Sequence, residues 1–314
     1  MAGFDVLTQG ITPVPDLVEV GLPPPDTVGL GYLAGILAGT ANWNRTWVVS
    51  IAGASPGPPL PPFNSLRTVF DIEKTPYPLA NKAKIQLYNL SDLSRARYFK
   101  GNLISLAVGY SVPIPVFTNG AIRRVSHERK GPDIITTFEC AEGERELRNS
   151  VCNLAYPAGT NVATVVAQMI LLMGLVQGPT IGLLPLVYSS GVVFAGKCSD
   201  ILTKLLKTQN LTWSVQNGFF VQIAPPGTPT NPTPILVTAG TGLIGAPNLG
   251  LGGGGDNVLT FTSLIRPGLV PGAIVSVVSR FLTMGGTLKT VKLDGDTHGS
   301  KWTAKCECVP VSPA

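Results

Sequence analysis

The sequence has few charged residues and no dense cluster of one charge. Only 13% of its 314 residues are charged, whereas 44% are hydrophobic; the usual charged share is roughly 25%. A monomer of this length normally covers its surface with more charge, so the shortage indicates that much of the surface contacts other subunits. The net charge is +5, and no basic cluster is denser than Arg123 and Arg124 with Arg129 and Lys130. A nucleic-acid-binding stripe therefore has little support.

Cysteine and histidine are too few and too scattered for the common metal, disulfide or catalytic sites. The five cysteines form an odd number without a C-x-x-C pair, which favours reduced, buried thiols: Cys140, Cys152, Cys198, Cys306 and Cys308. Cys306 and Cys308 share one face of a predicted strand, but a structural zinc site needs four ligands. His127 and His298 lie in different β segments. A Ser-His-Asp triad is therefore not supported.

Three further stretches allow a functional and a structural interpretation. The run from Asp294 to His298 (DGDTH) resembles the start of a metal loop, but it lacks the further carboxylates and the final Glu of a calcium loop. A tight turn at Asp294-Gly295 is favoured. Glu142, Glu144 and Glu146 could pair for acid–base chemistry, but a solvated face is favoured. The glycines at 252–255 lack the Lys-Ser/Thr of a phosphate loop. The sequence thus predicts no catalytic residue, no metal site and no cofactor.

Neither a secretory signal peptide nor a membrane helix is expected. No basic residue precedes Arg45, so the positive start of a signal peptide is missing. Residues 149–196 contain no Asp, Glu, Lys or Arg. The longest apolar part, residues 162–176, is shorter than the ~20 residues of a spanning helix and contains Thr164 and Gln168. A buried core helix is therefore the favoured interpretation.

The chain begins with a predicted extended arm and a first β segment. The arm covers residues 1–45, where prolines at 13, 15 and 23–25 work against regular structure. Period-two alternation then predicts six strands, with a short helix capped by Ser91 between the third and fourth. Such a set suits a small barrel or sandwich. The predicted strands cover residues 46–51, 69–74, 83–90, 103–110, 115–127 and 133–141.

A small α+β module at residues 144–224 and a second β segment follow. One helix opens near Asn161 with an apolar face, and a second begins at Ser199-Asp200 and stops near Asn210. Asn217-Gly218 is a strong hairpin signal. Residues 225–234 form a predicted Pro/Thr linker. The remaining strands are predicted at residues 235–237, 258–264, 273–279, 286–294 and 301–309. The fold class is therefore mainly β with a small α+β module.

Three stretches between residues 45 and 312 carry a resemblance through their order and spacing. They are residues 70–74 with 81–91 (FDIEK, NKAKIQLYNLS), residues 116–127 with 133–139 and Gly143-Glu144, and residues 242–247 with Pro271-Gly272 and 295–302 (GDTHGSKW). Together they resemble a bacteriophage tail baseplate hub protein, the kind that joins the tail tube to the central spike.

The resemblance implies a non-enzymatic structural role. It implies two tube-like β-barrel domains, at residues 46–143 and 235–314, flanking the helix-containing insert. Three chains would form a homotrimeric, pseudo-sixfold ring that adapts a sixfold tube to a threefold spike. The implied partners are the tail tube protein, the central spike protein and other baseplate and tape-measure proteins. DNA would pass through the lumen without specific binding, and no membrane is involved. The implied location is the virion tail baseplate, and the host cytoplasm during assembly.

Two other functions stay open on the sequence. A cell-wall-degrading tail-associated hydrolase would need a carboxylate pair or metal site, which substitution of Asp294, Asp296 and His298 would test. A membrane-associated β protein would float with lipid vesicles, although the Pro and Gly breaks count against it.

Overall fold

A computed structural model describes residues 44–52, 62–218, 220–251, 257–266 and 268–311. Almost all of the predicted arm and the glycine loop at 252–255 lie outside the described residues.

The first β segment contains six strands and a short helix, as predicted. Alternation of apolar and polar residues gives each strand a buried and an exposed side. In the third strand Ala83, Ile85 and Leu87 are buried, whereas Lys82 and Lys84 are exposed. The Ser91 side chain caps the helix by accepting a hydrogen bond from the Ser94 amide. The elements are β1 (Arg45–Ala52), β2 (Thr68–Lys74), β3 (Asn81–Tyr88), α1 (Asp92–Arg95), β4 (Leu103–Tyr110), β5 (Val112–Lys130) and β6 (Asp133–Glu142).

The middle of the chain forms the predicted α+β module with its own apolar core. Its longer helix starts after Asn161, whose side chain accepts a hydrogen bond from the Ala163 amide, and its apolar face is buried. The elements are α2 (Glu144–Asn149), β7 (Val151–Tyr156), α3 (Val162–Leu172), β8 (Val176–Thr180), β9 (Val192–Lys197), α4 (Cys198–Lys207), β10 (Thr212–Gln216) and β11 (Phe220–Ala224). Among the described residues, no helix has both the length and the apolar character needed to cross a membrane.

The last part of the chain returns to strands. A short 3₁₀ helix at Ala239–Thr241 separates the first two. The strands are β12 (Asn231–Val237), β13 (Leu243–Leu251), β14 (Asn257–Leu264), β15 (Ala273–Val278), β16 (Thr283–Asp296) and β17 (Trp302–Val311).

One twelve-stranded sheet unites the two β segments. Its main order is β1-β4-β5-β6-β3-β2-β16-β17-β14-β13, with β15 and β12 attached beside β16. The antiparallel pair β2–β16, from Val69↔Asp296 to Lys74↔Val291, joins the two halves. The buried side chains of both halves belong to one apolar cluster. The mainly β class with a small helical module is confirmed, and the domain boundaries stay predictions.

The second module helix begins at Cys198, one residue from the predicted start, and the Ser199 hydroxyl donates to the Leu147 carbonyl. One local prediction was wrong. The second half of the predicted linker is strand β12, which pairs only with β15. Its Pro232 and Pro234 are tolerated because an edge strand leaves one side without ladder bonds.

Candidate assembly site

Eight neighbouring strands form a continuous wall with one apolar and one polar side. The run is β5-β6-β3-β2-β16-β17-β14-β13. Side chains on one side enter the core. We call the other side the polar face. The register assigns to it Arg124 and Ser126 of β5, Thr137 and Glu139 of β6, Lys82, Lys84 and Gln86 of β3, Asp71 and Glu73 of β2, Thr290, Lys292 and Asp294 of β16, Thr303, Lys305 and Glu307 of β17, and Thr260 and Thr262 of β14.

The polar face carries both signs of charge in equal number. Two cross-strand rows carry most of them: Lys82, Glu73, Lys292 and Lys305 in one, and Arg124, Glu139, Lys84, Asp71 and Asp294 in the other. Together with Glu307, these rows contain five basic and five acidic side chains. The Lys292 ammonium lies 3.2 Å from the Asp71 carboxylate, and this hydrogen bond raises the pKa of Lys292. The charges balance in sum, and like charges face each other at two places, Lys292 with Lys305 and Asp71 with Asp294.

The run has an open edge at each end. Strand β4 pairs with β5 only as far as Ala121, so residues 123–130 of β5 pair with β6 alone. At the other end β13 pairs only with β14. Within the described ranges no further strand covers either edge. Such edges present unpaired backbone N–H and C=O groups to another chain.

The outer strand β13 is apolar and exposed. It contains no charged residue, and Ile244, Leu249 and Leu251 are 41%, 42% and 78% exposed. Monomers usually protect an edge with charge, and an uncharged, exposed edge marks a site of strand pairing.

A hairpin of the module inserts into the wall from the side. Asn217 and Gly218 at the β10–β11 turn both have positive φ, as the Asn-Gly signal predicted. A Cβ on Gly218 would lie 2.7 Å from the Thr118 carbonyl oxygen of β5. Only glycine therefore allows this approach. We call the contact of this hairpin with β2, β3, β5 and β6 the hairpin joint.

A buried polar network holds the hairpin joint. Asn81 donates to the Glu142 carboxylate at 2.8 Å and to the Val215 carbonyl at 3.0 Å. Glu142 also accepts from the Thr118 amide at 3.1 Å, and the Gln216 side chain donates to the Thr75 carbonyl at 2.8 Å. Nearly every polar atom in this network has a partner, as burial demands.

Glu142 was expected on a solvated face, and that prediction was wrong. Its side chain is 0% exposed, because β6 extends one residue further than predicted and turns this carboxylate toward the module. Glu144 instead pairs with Arg123 and Arg148 near the surface. The three glutamates therefore do not form one carboxylate cluster.

Lys74 is the buried cation of the same joint and was missed from the sequence. Its side chain is 1% exposed, and its ammonium donates to the Asn217 side chain at 3.3 Å. Burial lowers the pKa of Lys74, and the nearby Glu142 carboxylate opposes that shift. The alternation of β2 did contain the signal, since Lys74 follows Phe70 and Ile72 on the core side.

The predicted turn at Asp294-Gly295 lies two residues later, at 297–301. Asp294, Gly295 and Asp296 are in β16, and the hairpin closes where the Asp296 amide donates to the Lys301 carbonyl. Asp296 accepts two hydrogen bonds from Arg67, at 3.2 and 2.7 Å, and one from the His298 amide. The Arg67 hydrogen bond is the main cause that lowers the pKa of Asp296. This carboxylate therefore ties β16 to the start of β2.

The predicted chemical groups do not converge on one site. The His127 ring contacts the Thr136 hydroxyl, whereas the His298 ring packs at 5.8 Å from Trp47. All five cysteines are free and buried, as predicted. Burial raises the pKa of Cys140 and Cys308 to about 12. Among the described residues, no three His, Cys, Asp or Glu side chains are grouped to hold a metal ion.

The molecule is therefore a mainly β protein whose prominent features are open sheet edges, a balanced polar face and a buried joint. No protein-family model matches the chain, and no curated protein matches it. Several solved structures match it. A tail protein from Neisseria meningitidis MC58 matches with a TM-score of 0.61 and 10% identity, over 86% of this chain and 97% of that one. The 43 kDa tail protein of prophage MuSo2 from Shewanella oneidensis matches with a TM-score of 0.62 and 8% identity, over 85% and 97%.

A third similar solved structure comes from a secretion system. It is an E. coli component of the type VI secretion system, described as structurally similar to the T4 bacteriophage tail proteins gp27 and gp5. It matches with a TM-score of 0.54 and 13% identity, over 85% of this chain and 79% of that one. The fold of this chain is thus the fold of phage tail proteins, and the resemblance to a baseplate hub protein is confirmed at that level.

Proposed function

We propose that the chain is a structural hub subunit of a phage-type tail baseplate. Three copies form a ring that connects a sixfold tail tube to a threefold central spike and lets DNA pass. The observation that carries the proposal is the pair β2–β16, which places two strand groups side by side in one sheet. A threefold ring of such chains presents six strand groups, so one component matches both symmetries.

The polar face supports the part of the proposal that concerns DNA. A dense basic surface would hold phosphate groups through counterion release and slow the passage of a duplex. The two rows of the polar face, together with Glu307, contain as many acidic as basic side chains, including the neighbours Glu73 and Lys292. DNA therefore passes such a face without specific binding.

The proposed partners follow from the position of a hub. They are two sister copies, the tail tube protein on one side, the central spike protein on the other, and other baseplate and tape-measure proteins. The proposed location is the tail baseplate of the virion, and the host cytoplasm during assembly. The low charge content of 13% fits a subunit with large, obligate interfaces, which bury more than about 2,000 Å².

Mass measurement of the purified chain tests the proposal. Mass photometry should give three times 32.9 kDa, and negative-stain images should show rings with a central hole. Cryo-electron microscopy of particles should place the ring between tube and spike. A monodisperse monomer at micromolar concentration, with no particle-associated form, contradicts the proposal.

A further inference from the structure

We infer that a cavity between the module and the second β segment binds a carboxylate carried on a short apolar group, the chemistry shared by the carboxyl end of a peptide and a small free acid. This inference goes beyond the proposed function and does not depend on it. The cavity has a volume of about 320 Å³, which falls within the ~300–1,000 Å³ of ligand pockets. Strands β10 and β11 of the module form one wall, and β16 and β17 form another.

The connection at residues 225–230 closes the cavity and is held in place by its backbone. Pro225 and Pro226 have fixed φ angles. The Thr230 amide donates to the Gly272 carbonyl at 2.8 Å. Gly272 has a φ of +85°, and a Cβ at this position would clash with the Thr230 hydroxyl oxygen, so glycine allows the close approach. The connection therefore gives a ligand a preformed wall.

The lining of the cavity contains one cation and no Asp or Glu. The cation is Lys289, and within the described ranges no ion pair includes it. Lys289 is also the extra residue of a β-bulge, because the β16–β17 register shifts between Leu288 and Thr290. Bulges re-aim a side chain and are frequent beside functional sites. A cation without a counter-charge in a partly enclosed cavity favours an anionic ligand.

Uncharged donors in the lining complement the same ligand. Thr287 is 2% exposed, and its hydroxyl is buried without a hydrogen-bond partner among the described residues. Because buried hydroxyls normally have a partner, a ligand oxygen that reaches Thr287 supplies the missing one. The Gln222 side-chain oxygen accepts from the Thr230 hydroxyl at 3.3 Å, which leaves the Gln222 NH₂ group as a donor. Tyr77, which also lines the cavity, is 42% exposed and adds a third hydroxyl.

This set of groups suits a carboxylate better than a phosphate. A carboxylate has one negative charge and accepts several hydrogen bonds, which matches one lysine with neutral donors around it. A phosphate group has about two negative charges and is typically bound by several cations. Pro76, Leu288 and Val309 give the lining an apolar part, so the ligand carries an apolar group beside its carboxylate.

Isothermal titration calorimetry of the full chain tests the ligand class. The first ligand is acetyl-Pro-Leu with a free carboxylate, and the second is its carboxyl-terminal amide, which keeps the shape and removes the charge. We expect the acid to bind and the amide to bind at least tenfold more weakly. Free 4-methylpentanoate distinguishes the two sources. Tighter binding of the peptide assigns the site to a protein partner, and equal binding of both acids assigns it to a small free acid.

Three variants test the residues that carry the inference. Lys289→Met should raise the dissociation constant of the peptide acid at least tenfold, because it removes the partner of the carboxylate. Lys207→Met, at an exposed lysine at the end of α4, is the matched control and should leave binding unchanged. Thr287→Val should weaken binding while the urea midpoint of the free protein stays equal or rises, because the buried hydroxyl has no protein partner to lose.

Four results would overturn the inference. They are no binding of either acid at millimolar concentration, equal binding of acid and amide, an unchanged dissociation constant for a folded Lys289→Met variant, and displacement of the acid by an equal concentration of inorganic phosphate. None of these results bears on ring formation, so the proposed function is tested separately.

Discussion

Glu142 and Lys74 should be coupled, because the Glu142 carboxylate opposes the lowering of the pKa of the buried Lys74 ammonium inside the hairpin joint. Glu142→Ala removes the acceptor of the Asn81 and Thr118 hydrogen bonds and leaves the Lys74 ammonium without a nearby carboxylate. Removing one partner of a buried charge pair costs about 3–5 kcal/mol. We expect a loss of that size in the free energy of unfolding, measured by urea denaturation. Glu142→Gln keeps the shape and one acceptor, and should cost about 1–3 kcal/mol.

The double substitution distinguishes coupling from simple loss of packing. Lys74→Met removes the buried cation while keeping most of the side-chain volume. Replacing both charges together is often close to neutral, so Glu142→Gln with Lys74→Met should be more stable than the sum of the single changes predicts. The matched control is Glu144→Gln, whose carboxylate pairs with Arg123 and Arg148 outside the joint. Additivity of Glu142→Gln and Lys74→Met within about 0.5 kcal/mol would refute the reasoning.

The pH dependence of stability gives an independent check. Burial lowers the pKa of Lys74 from its ordinary value of 10.5. Between the lowered pKa and 10.5 the unfolded chain binds more protons than the folded one, so the free energy of unfolding rises with pH in this window. Lys74→Met should abolish that rise. Glu142→Gln should open the window at lower pH, because the carboxylate that raises the pKa of Lys74 is gone. A wild-type-minus-Lys74→Met difference that stays flat up to pH 10.5 contradicts the assignment.

Three further outcomes are expected. Asp296→Asn should lower the free energy of unfolding by about 1–2 kcal/mol at pH 7. It should also remove part of the acid sensitivity, because the stability from the lowered Asp296 pKa is lost only as pH falls below 3.8; identical acid titrations of both proteins would count against this. Gly218→Ala should lower the free energy of unfolding, measured by urea denaturation, by about 2–4 kcal/mol, because of the positive φ and a clash with Thr118. The control Gly131→Ala has open space around the new Cβ and should cost about 1 kcal/mol. Equal costs would argue against a docked hairpin. A thiol reagent at pH 8 should leave Cys140 and Cys308 unmodified until urea unfolds the chain, because burial raises the pKa of both to about 12; rapid labelling of the folded protein would contradict their burial.

Local patterns predicted most of the elements, and long-range pairing decided the rest. Alternation located β2 and β3, and the Asn-Gly signal located the β10–β11 hairpin, because these features depend on neighbours in sequence. Strand β12 escaped prediction because its prolines mark a linker until an edge position is known.

The buried network shows how far alternation can be extended. Lys74, Asn81 and Glu142 each occupy a core-side position at the end of a strand. Period-two alternation alone places their side chains on the core side of the sheet, but a buried charge is expected only when its partners are known. Lys74 and Asn81 find partners in the module, Asn217 and Val215, which are 143 and 134 residues away along the chain. Glu142 accepts from Asn81 and Thr118 on other strands of the sheet. The sequence alone does not reveal the contact between the module and these strands.

The pairing of β2 with β16 determines when the eight-strand wall can be completed during folding. Its partners are separated by more than 200 residues, as the Arg67–Asp296 bond also is. The wall therefore stays in two pieces until the ribosome has released nearly the whole chain, and such distant pairing is slow. Truncated or unfinished polypeptides cannot present both ends of the run at once. Only the complete chain therefore forms the full eight-strand wall.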